Sequence, residues 1–297
     1  MPVISDQVGL TLDRIVLATD FSPVSKKAAD YTQGLSRRFA SSLSLVHVVD
    51  TSIATRPEYA LTGLPVEEMR QASAENQSCL LDQMTSAGVR TSAHVIESPD
   101  PAAALVRFAK ELRADLIVTG TTARSGISKM ILGSRAEAII RHATCPVLTI
   151  GPNMKADPSG IVPFHTVVFA TDFGTDASKQ AAVALSFAQD STADVYFCHM
   201  LARPGKDIAE TISIEMKRES ALERLIPPSA YDWCSPKFVV EVGPTAPHIL
   251  ALAKRVQADL IVLGARRSAS WFVNFVEGTV GQVLMGANCP VMTLCSQ

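Results

Sequence analysis

The sequence predicts an α/β protein made of two tandem, doubly wound domains. The chain has 297 residues, which is about twice the length expected for one such domain. In both halves, short apolar runs alternate with longer amphipathic stretches, a pattern typical of parallel strands joined by right-handed helical connections. Several short segments of the first half also recur, in the same order, in the second half.

Four pairs of segments carry this internal repeat. They are residues 15–21 with 167–173, 45–48 with 197–200, 114–120 with 258–264, and 145–149 with 289–293. Because all four keep their order, we interpret the chain as a duplication. The stretch 151–163 is rich in Gly and Pro and poor in apolar residues, which is the composition of a linker. The predicted domains are therefore 1–151 and 164–297.

Each element of the first half has its own signal. The run over 14–18, which is apolar after Arg14, predicts a buried strand, and apolar residues at helical spacing predict a helix over 25–39. A strand over 43–49 precedes a helix over 66–87. Gly88 ends that helix in the position of a left-handed C-cap.

The remaining elements continue the alternation. After a strand over 89–97, a helix over 101–112 begins with a proline, whose missing N–H costs nothing there. We then expect a strand over 115–119, a helix over 134–142 and a strand over 146–150. The second half has the same pattern, with a helix over about 207–225 that ends at the pair Pro227 and Pro228.

Composition excludes several classes of protein. Lys and Arg number 27 against 29 Asp and Glu, so there is no electrostatic reason to expect a nucleic acid or an anionic membrane as partner. Residues 1–14 contain Asp6 and Asp13 and no apolar core, which argues against a secretory signal. No stretch is typical of a spanning helix, and the six cysteines form no CxxC pair. We expect a cytoplasmic protein with reduced thiols.

In doubly wound sheets, ligands bind beyond the carboxyl ends of the strands, where the strand order reverses. The loop from Gly120 to Gly133 and Ser134 is the strongest signal at such an edge. Glycine lets a ligand approach the backbone closely, and the helix that begins at 133–134 offers free N–H groups to an anion. Ser134 would be the N-cap, or its hydroxyl would meet a phosphate. The alternative is a plain strand–loop–helix connection.

Asp20 follows the first strand and is the second candidate. Its carboxylate can accept hydrogen bonds from a base or a ribose. The alternative is an N-cap or an Asx turn, because Ser22 and Pro23 begin a helix.

Together, residues 15–22, 114–120, the loop to Ser134 and residues 142–149 resemble the universal stress protein family, and the resemblance covers nearly the whole chain twice. It implies a tandem member, with a five-stranded parallel sheet and helices on both faces in each domain. Many members bind ATP through Gly-x-x-Gly, nine residues, then Gly-Ser/Thr. The resemblance thus implies ATP, with Mg²⁺ on its phosphates. The implied contact residues are Thr19, Asp20, Val48, Gly120, Ala123, Arg124, Gly133 and Ser134.

Both copies depart from the family pattern. In the first, Ala123 replaces the second glycine; its methyl group either crowds a phosphate or is accommodated by a small shift. In the second, Arg267 stands at that position, the loop is one residue longer, and it carries Trp271, Phe272 and Phe275. A weaker second site would use Asp172, Gly264, Arg267, Gly278 and Thr279. Either this loop has lost the ligand and packs on protein, or Arg266 or Arg267 contacts phosphates.

Other chemistry has little support. The chain contains no P-loop, no dinucleotide fingerprint and no histidine pair at metal-ligand spacing. His47 and His199 recur at one strand position, either as hydrogen-bonded structural residues or to orient a ligand. Cys145 and Cys289 recur before the last strand, where burial explains them better than nucleophilic use. We assign no catalytic residue and no metal ligand.

The leading hypothesis is a nucleotide-dependent stress-response module with at most slow ATP hydrolysis. The alternative is a scaffold that acts through protein contacts without a nucleotide. An enzyme similar to the adenine-nucleotide α-hydrolases would need His-x-Gly-His or Ser-Gly-Gly-x-Asp-Ser, and the sequence has neither. In the family, the last strands of two domains commonly meet. The resemblance therefore implies an intramolecular pseudo-dimer through 146–150 and 290–294, and a homodimer remains open.

Overall fold

The computed structural model describes residues 12–52, 66–121, 133–154, 162, 164–189, 193–265 and 278–295. The chain divides into two compact units, one mainly from Leu12–Pro152 and the other mainly from Pro163–Gln297. Each unit is described by itself. Among the described residues, no helix combines the length and apolar character that crossing a bilayer requires.

The first unit contains five strands and four helices within its described residues. The strands are β1 (Arg14–Ala18), β2 (Ser42–Asp50), β3 (Arg90–Ser98), β4 (Leu116–Gly120) and β5 (Val147–Ile150). The helices are α1 (Pro23–Phe39), α2 (Val66–Ser86), α3 (Pro101–Glu111) and α4 (Ser134–His142). All nine lie within two residues of the sequence prediction. Gly88 follows α2 with a positive φ of 81°, as expected for a left-handed C-cap.

The strands of the first unit form a parallel sheet in the order β3-β2-β1-β4-β5. From β1 the chain builds outward through β2 and β3, then returns to the other side of β1 with β4 and β5. Right-handed connections therefore place α1 and α2 on one face and α3 and α4 on the other. The strand order reverses between β1 and β4, which is where a doubly wound sheet opens a crevice for a ligand.

The second unit repeats this architecture. Its strands are β6 (Thr166–Ala170), β7 (Asp194–Leu201), β8 (Ser235–Val242), β9 (Leu260–Ala265) and β10 (Val291–Cys295). Its helices are α5 (Ala177–Ala188), α6 (Ile208–Glu223), α7 (Thr245–Arg255) and α8 (Thr279–Gly286), with a 3₁₀ helix at Pro228–Asp232. The parallel sheet has the order β8-β7-β6-β9-β10. The predicted α/β fold with two parallel sheets is confirmed.

The aspartate that recurs in the repeat, Asp115 in the first half and Asp259 in the second, has a structural role at the amino-terminal ends of the strands. The Asp115 carboxylate accepts a hydrogen bond from Arg14 N at 2.9 Å, just before β4. In the second unit, the Asp259 carboxylate accepts one from Thr166 N at 3.0 Å. These two aspartates tie neighbouring strands together at the end away from the ligand crevice, so their role is structural.

Candidate functional site

A cleft opens at the carboxyl end of the first sheet, at the reversal between β1 and β4. It encloses about 530 Å³ of empty space, part of which is open to solvent. Four predicted site residues line it, namely Thr19, Asp20, Val48 and Gly120. The rest of its lining is mostly apolar and includes Ala18, Val46, Pro101, Ala102, Leu105 and Ile139.

The turn after β1 fixes the position of Asp20. Asp20 Oδ1 accepts a hydrogen bond from Ser22 N at 3.0 Å and another from the Ser25 hydroxyl. Phe21 between them has a φ of 59°, an uncommon conformation for a bulky residue. Ser22 is the N-cap of α1, and its Oγ accepts from Ser25 N at 3.2 Å. The Asx turn therefore exists, and the cap of α1 is Ser22 and not Asp20.

The Asp20 carboxylate is held in its ionised form. Partial burial raises its pKa, but hydrogen bonds from Ser22 and Ser25 outweigh burial, and the pKa lies below its ordinary value. Both side-chain bonds that the structure gives for Asp20 use Oδ1. The Asx turn and a contact from Oδ2 to a ligand are therefore compatible.

His47 is hydrogen-bonded to the backbone and also lines the cleft. Its Nδ1 lies 2.8 Å from the Thr19 carbonyl oxygen. Because a carbonyl can only accept, Nδ1 carries the proton. The ring packs on Phe21, with centroids 4.7 Å apart, and burial lowers the pKa of His47 below its ordinary value. The hydrogen bond expected of a structural histidine is therefore present, and the position of His47 in the cleft leaves contact with a ligand open.

Gly120 ends β4 against the start of α1. A Cβ atom at this position would lie 3.1 Å from Ser25 N and from the Val24 carbonyl carbon. Because such contacts are tighter than most, a side chain here would push β4 and α1 apart by a few tenths of an ångström, and glycine allows the close packing. Its presence therefore has a structural explanation that does not depend on a ligand.

The start of α4 corrects one sequence expectation. Gly133 is the N-cap, with φ −60° and ψ 130°, and Ser134 is already the first helical residue. Ser134 as N-cap was wrong, because α4 has no side-chain cap and takes a glycine in extended conformation instead. Neither Gly133 nor Ser134 is among the lining residues of the cleft. Predicted contacts Ala123 and Arg124 lie outside the described residues.

Sequence reasoning missed Arg135. This residue lines the cleft from the first turn of α4, and its Nη2 lies 2.9 Å from Asp50 Oδ2 at the end of β2. A cation in the first turn of a helix opposes the helix dipole, and that conflict was the signal available in the sequence. The cleft thus combines an apolar wall with a carboxylate and a guanidinium.

The second unit reproduces the turn after its first strand. His199 Nδ1 lies 2.8 Å from the Thr171 carbonyl oxygen, and Asp172 Oδ1 accepts from Gly174 N at 3.1 Å. Phe173 repeats the φ of 59°. The Arg218 guanidinium lies 5.4 Å from the Phe173 ring centroid.

The other predicted residues of the second site are placed only in part. Gly264 lies in β9, where a Cβ would come within 2.1 Å of Gln180 Oε1. Gly278 is the N-cap of α8, and Thr279 is its first residue. Arg267 and the aromatic residues of this loop lie outside the described residues.

The recurring cysteines are poor nucleophiles. Burial raises the pKa of Cys145 to about 12 and that of Cys289 to about 12, so almost no thiolate forms near neutral pH. Over the described part of the chain, no cluster of His, Cys, Asp or Glu side chains has the composition of a metal site.

Comparison with known proteins supplies the family. The sequence matches the universal stress protein family model twice, over residues 11–151 and 163–294. A universal stress protein from Methanocaldococcus jannaschii is 33% identical over 138 residues, which are 46% of this chain and 81% of that protein. The length of this match is about that of one of the two family domains.

Two solved structures share the fold over nearly the whole chain. A universal stress protein from Archaeoglobus fulgidus superposes with a TM-score of 0.74 at 18% identity, covering 97% of each chain. A putative universal stress protein from Pseudomonas aeruginosa gives 0.63 at 18% identity, covering 96% of this chain and 94% of that one. The chain belongs to the universal stress protein family and carries its domain twice in tandem.

Proposed function

We propose that the first domain binds ATP in the cleft between β1 and β4. The observation that carries this proposal is that Thr19, Asp20, Val48 and Gly120 line one cleft at the strand-order reversal. These residues come from three separate strands or strand ends, and all of them stand at positions that the family pattern implies as nucleotide contacts. A cleft with an apolar wall and a few polar groups suits a planar base attached to a sugar phosphate.

The proposed pose follows from the chemistry of the walls. Adenine lies against the apolar side near Val48, and the ribose meets the Asp20 carboxylate. The phosphates extend towards Gly120, Gly133 and Ser134, where the first N–H groups of α4 favour an anion. Ala123 and Arg124 complete the phosphate loop in this proposal. Mg²⁺ would be held by the phosphates, since no protein metal ligand is assigned.

We propose that the second domain has a degenerate site. Asp172, Gly264, Gly278 and Thr279 keep their positions, but Arg267 replaces the second loop glycine, and the loop carries three aromatic residues. Aromatic side chains in a phosphate loop are better explained by packing than by contact with a nucleotide. One ATP per chain is therefore the proposed state.

The proposed role is regulatory, in the cytoplasm, with at most slow ATP hydrolysis. His47 donates Nδ1–H to a backbone carbonyl, and the Asp20 carboxylate is held ionised by hydrogen bonds. We assign neither as a general base, because no described geometry points either group at a water attacking a phosphate.

Calorimetric titration of ATP into the whole chain tests the proposal. Gly133 has a negative φ in extended conformation, so Gly133→Val is compatible with the backbone and blocks close approach of a phosphate. Gly278→Val is the matched control, because Gly278 has the same N-cap role in the second domain. We expect micromolar binding that Gly133→Val abolishes and Gly278→Val leaves unchanged. No binding by the wild type below millimolar ATP would contradict the proposal.

We also propose that domains 1–151 and 164–297 form an intramolecular pseudo-dimer through their last strands. Taken by itself, each sheet ends in this strand, β5 in the first and β10 in the second. Both strands are mostly apolar, and an apolar strand at the end of a sheet is suited to pairing with another strand. Small-angle scattering should give a compact particle. A profile of two separated domains would contradict this arrangement. The same experiment reports whether two chains associate.

A further inference from the structure

The first domain holds an ion pair to which the proposed site assigns no role. Arg135 Nη2 donates to Asp50 Oδ2 at 2.9 Å, and the Asp50 side chain is only 10% exposed. Asp50 Oδ1 accepts from Ser52 N at 3.0 Å and from the Ser52 hydroxyl at 2.6 Å. Both carboxylate oxygens are thus engaged, which fixes the carboxylate. The fixed carboxylate in turn restrains the guanidinium of Arg135.

The location of Arg135 favours contact with an anion. The residue lines the same cleft as Asp20 and His47, and its charge is one of the causes that lower the pKa of His47. Its bond to Asp50 uses one of the five N–H donors of a guanidinium. Next to it are the first N–H groups of α4, which also favour an anion. A phosphate at this point would stabilise the charge of Arg135, which the helix dipole by itself disfavours at a helix start.

Comparison of the two copies supports a joint role for the pair. By the alignment of the repeat, Ala202 stands at the position of Asp50, and Val280 stands at the position of Arg135. The copy that keeps most of the phosphate loop has both members of the ion pair. The copy with the altered loop has neither. Two residues that interact directly across 85 positions of sequence are therefore both replaced in the altered copy.

We propose that Arg135 makes the cleft selective for phosphorylated adenine nucleosides over the bare nucleoside, and that Asp50 positions its guanidinium. This inference rests on the proposed nucleotide site, because the phosphates are the anionic part of that ligand. Arg135 is suited to the role because its planar fork can bind two phosphate oxygens at once, which a lysine cannot do.

The test is calorimetric titration of adenosine, AMP and ATP into the whole chain, three single variants and one double variant. Arg135→Gln removes the charge at a residue whose side chain is 52% exposed, so the fold should persist, and melting temperature checks this. Asp50→Asn removes the carboxylate charge that holds the guanidinium of Arg135 in position. Arg255→Gln is the matched control, because Arg255 forms an exposed ion pair with Glu241 at 2.8 Å in the second domain.

Arg135→Gln should weaken ATP and AMP at least about tenfold, the size of a lost charge-assisted hydrogen bond, and adenosine less than about twofold. Asp50→Asn should weaken ATP by a few-fold in the wild-type background and have no effect in the Arg135→Gln background. Unchanged ATP affinity in Arg135→Gln, or equal losses for adenosine and ATP, would overturn the inference. A wild type that binds none of the three ligands would instead overturn the proposed function.

Discussion

His47 Nδ1 lies 2.8 Å from the Thr19 carbonyl oxygen, and the second domain repeats this relationship between His199 and Thr171 at the same distance. In each copy, a histidine on the second strand of the domain holds the backbone where the first strand ends. The adjoining phenylalanine, Phe21 or Phe173, takes a left-handed conformation and packs on the ring. The arrangement of histidine, carbonyl group and phenylalanine is therefore part of the fold of both domains.

The two histidines predict a pH dependence of stability. Burial lowers the pKa of His47 and His199 in the folded protein, so the unfolded chain binds protons first as pH falls below about 6.5. The free energy of unfolding should therefore decrease from about pH 8 to about pH 5.5. Urea unfolding at both pH values measures this. A double variant, His47→Gln with His199→Gln, should be less stable at pH 8 but show a smaller decrease. An equal decrease in variant and wild type would contradict the assignment.

The N-cap of α1 predicts that replacing serine by alanine lowers stability at the capping position but not at a serine that caps no helix. Ser22→Ala removes the bond from Ser25 N to Ser22 Oγ and should lower the free energy of unfolding by about 1 kcal/mol. Ser134→Ala is the control, since Ser134 is exposed and makes no cap bond, and it should change stability by less than about 0.5 kcal/mol. Urea unfolding compares the two. Equal effects would show that the assigned caps are wrong.

Gln180 and Gly264 should be energetically coupled. Gly264→Ala places a methyl group on Gln180 Oε1 and displaces a side chain whose Nε2 donates to Leu294 O at 3.1 Å. The loss should be about 1–3 kcal/mol. In the first domain, Ala28 stands at the position of Gln180, so Gln180→Ala imitates that copy.

A double-mutant cycle measures this coupling by chemical denaturation. Because Gln180→Ala removes the atom that the new methyl group would strike, the double variant should be more stable than the two single effects predict by addition. Additive effects would mean that the contact has no energetic consequence.

The fold was accessible from sequence because its signals are local. Apolar runs, helical spacing and the glycine at position 88 act over a few residues, and the repeat presents the apolar runs and the helical spacing twice. The site was harder to predict. The left-handed Phe21 depends on hydrogen bonds of Asp20 within the turn, and no propensity of phenylalanine indicates it.

The ion pair of Arg135 with Asp50 illustrates what local pattern misses. Its members come from α4 and β2, and only the order of the strands brings them together. The error at Ser134 has another cause, because residue preferences locate a helix start only to within one or two residues. The sequence carries two signals of this pair, namely the cation in the first turn of α4 and the replacement of both members in the second copy.

The central claim is that one ATP binds per chain, in the first domain. Native mass spectrometry of the whole chain in excess ATP counts the bound nucleotides directly. We expect one ATP per chain, retained in Gly278→Val and lost in Gly133→Val. Two bound nucleotides would contradict the degenerate second site, and none would contradict the claim itself.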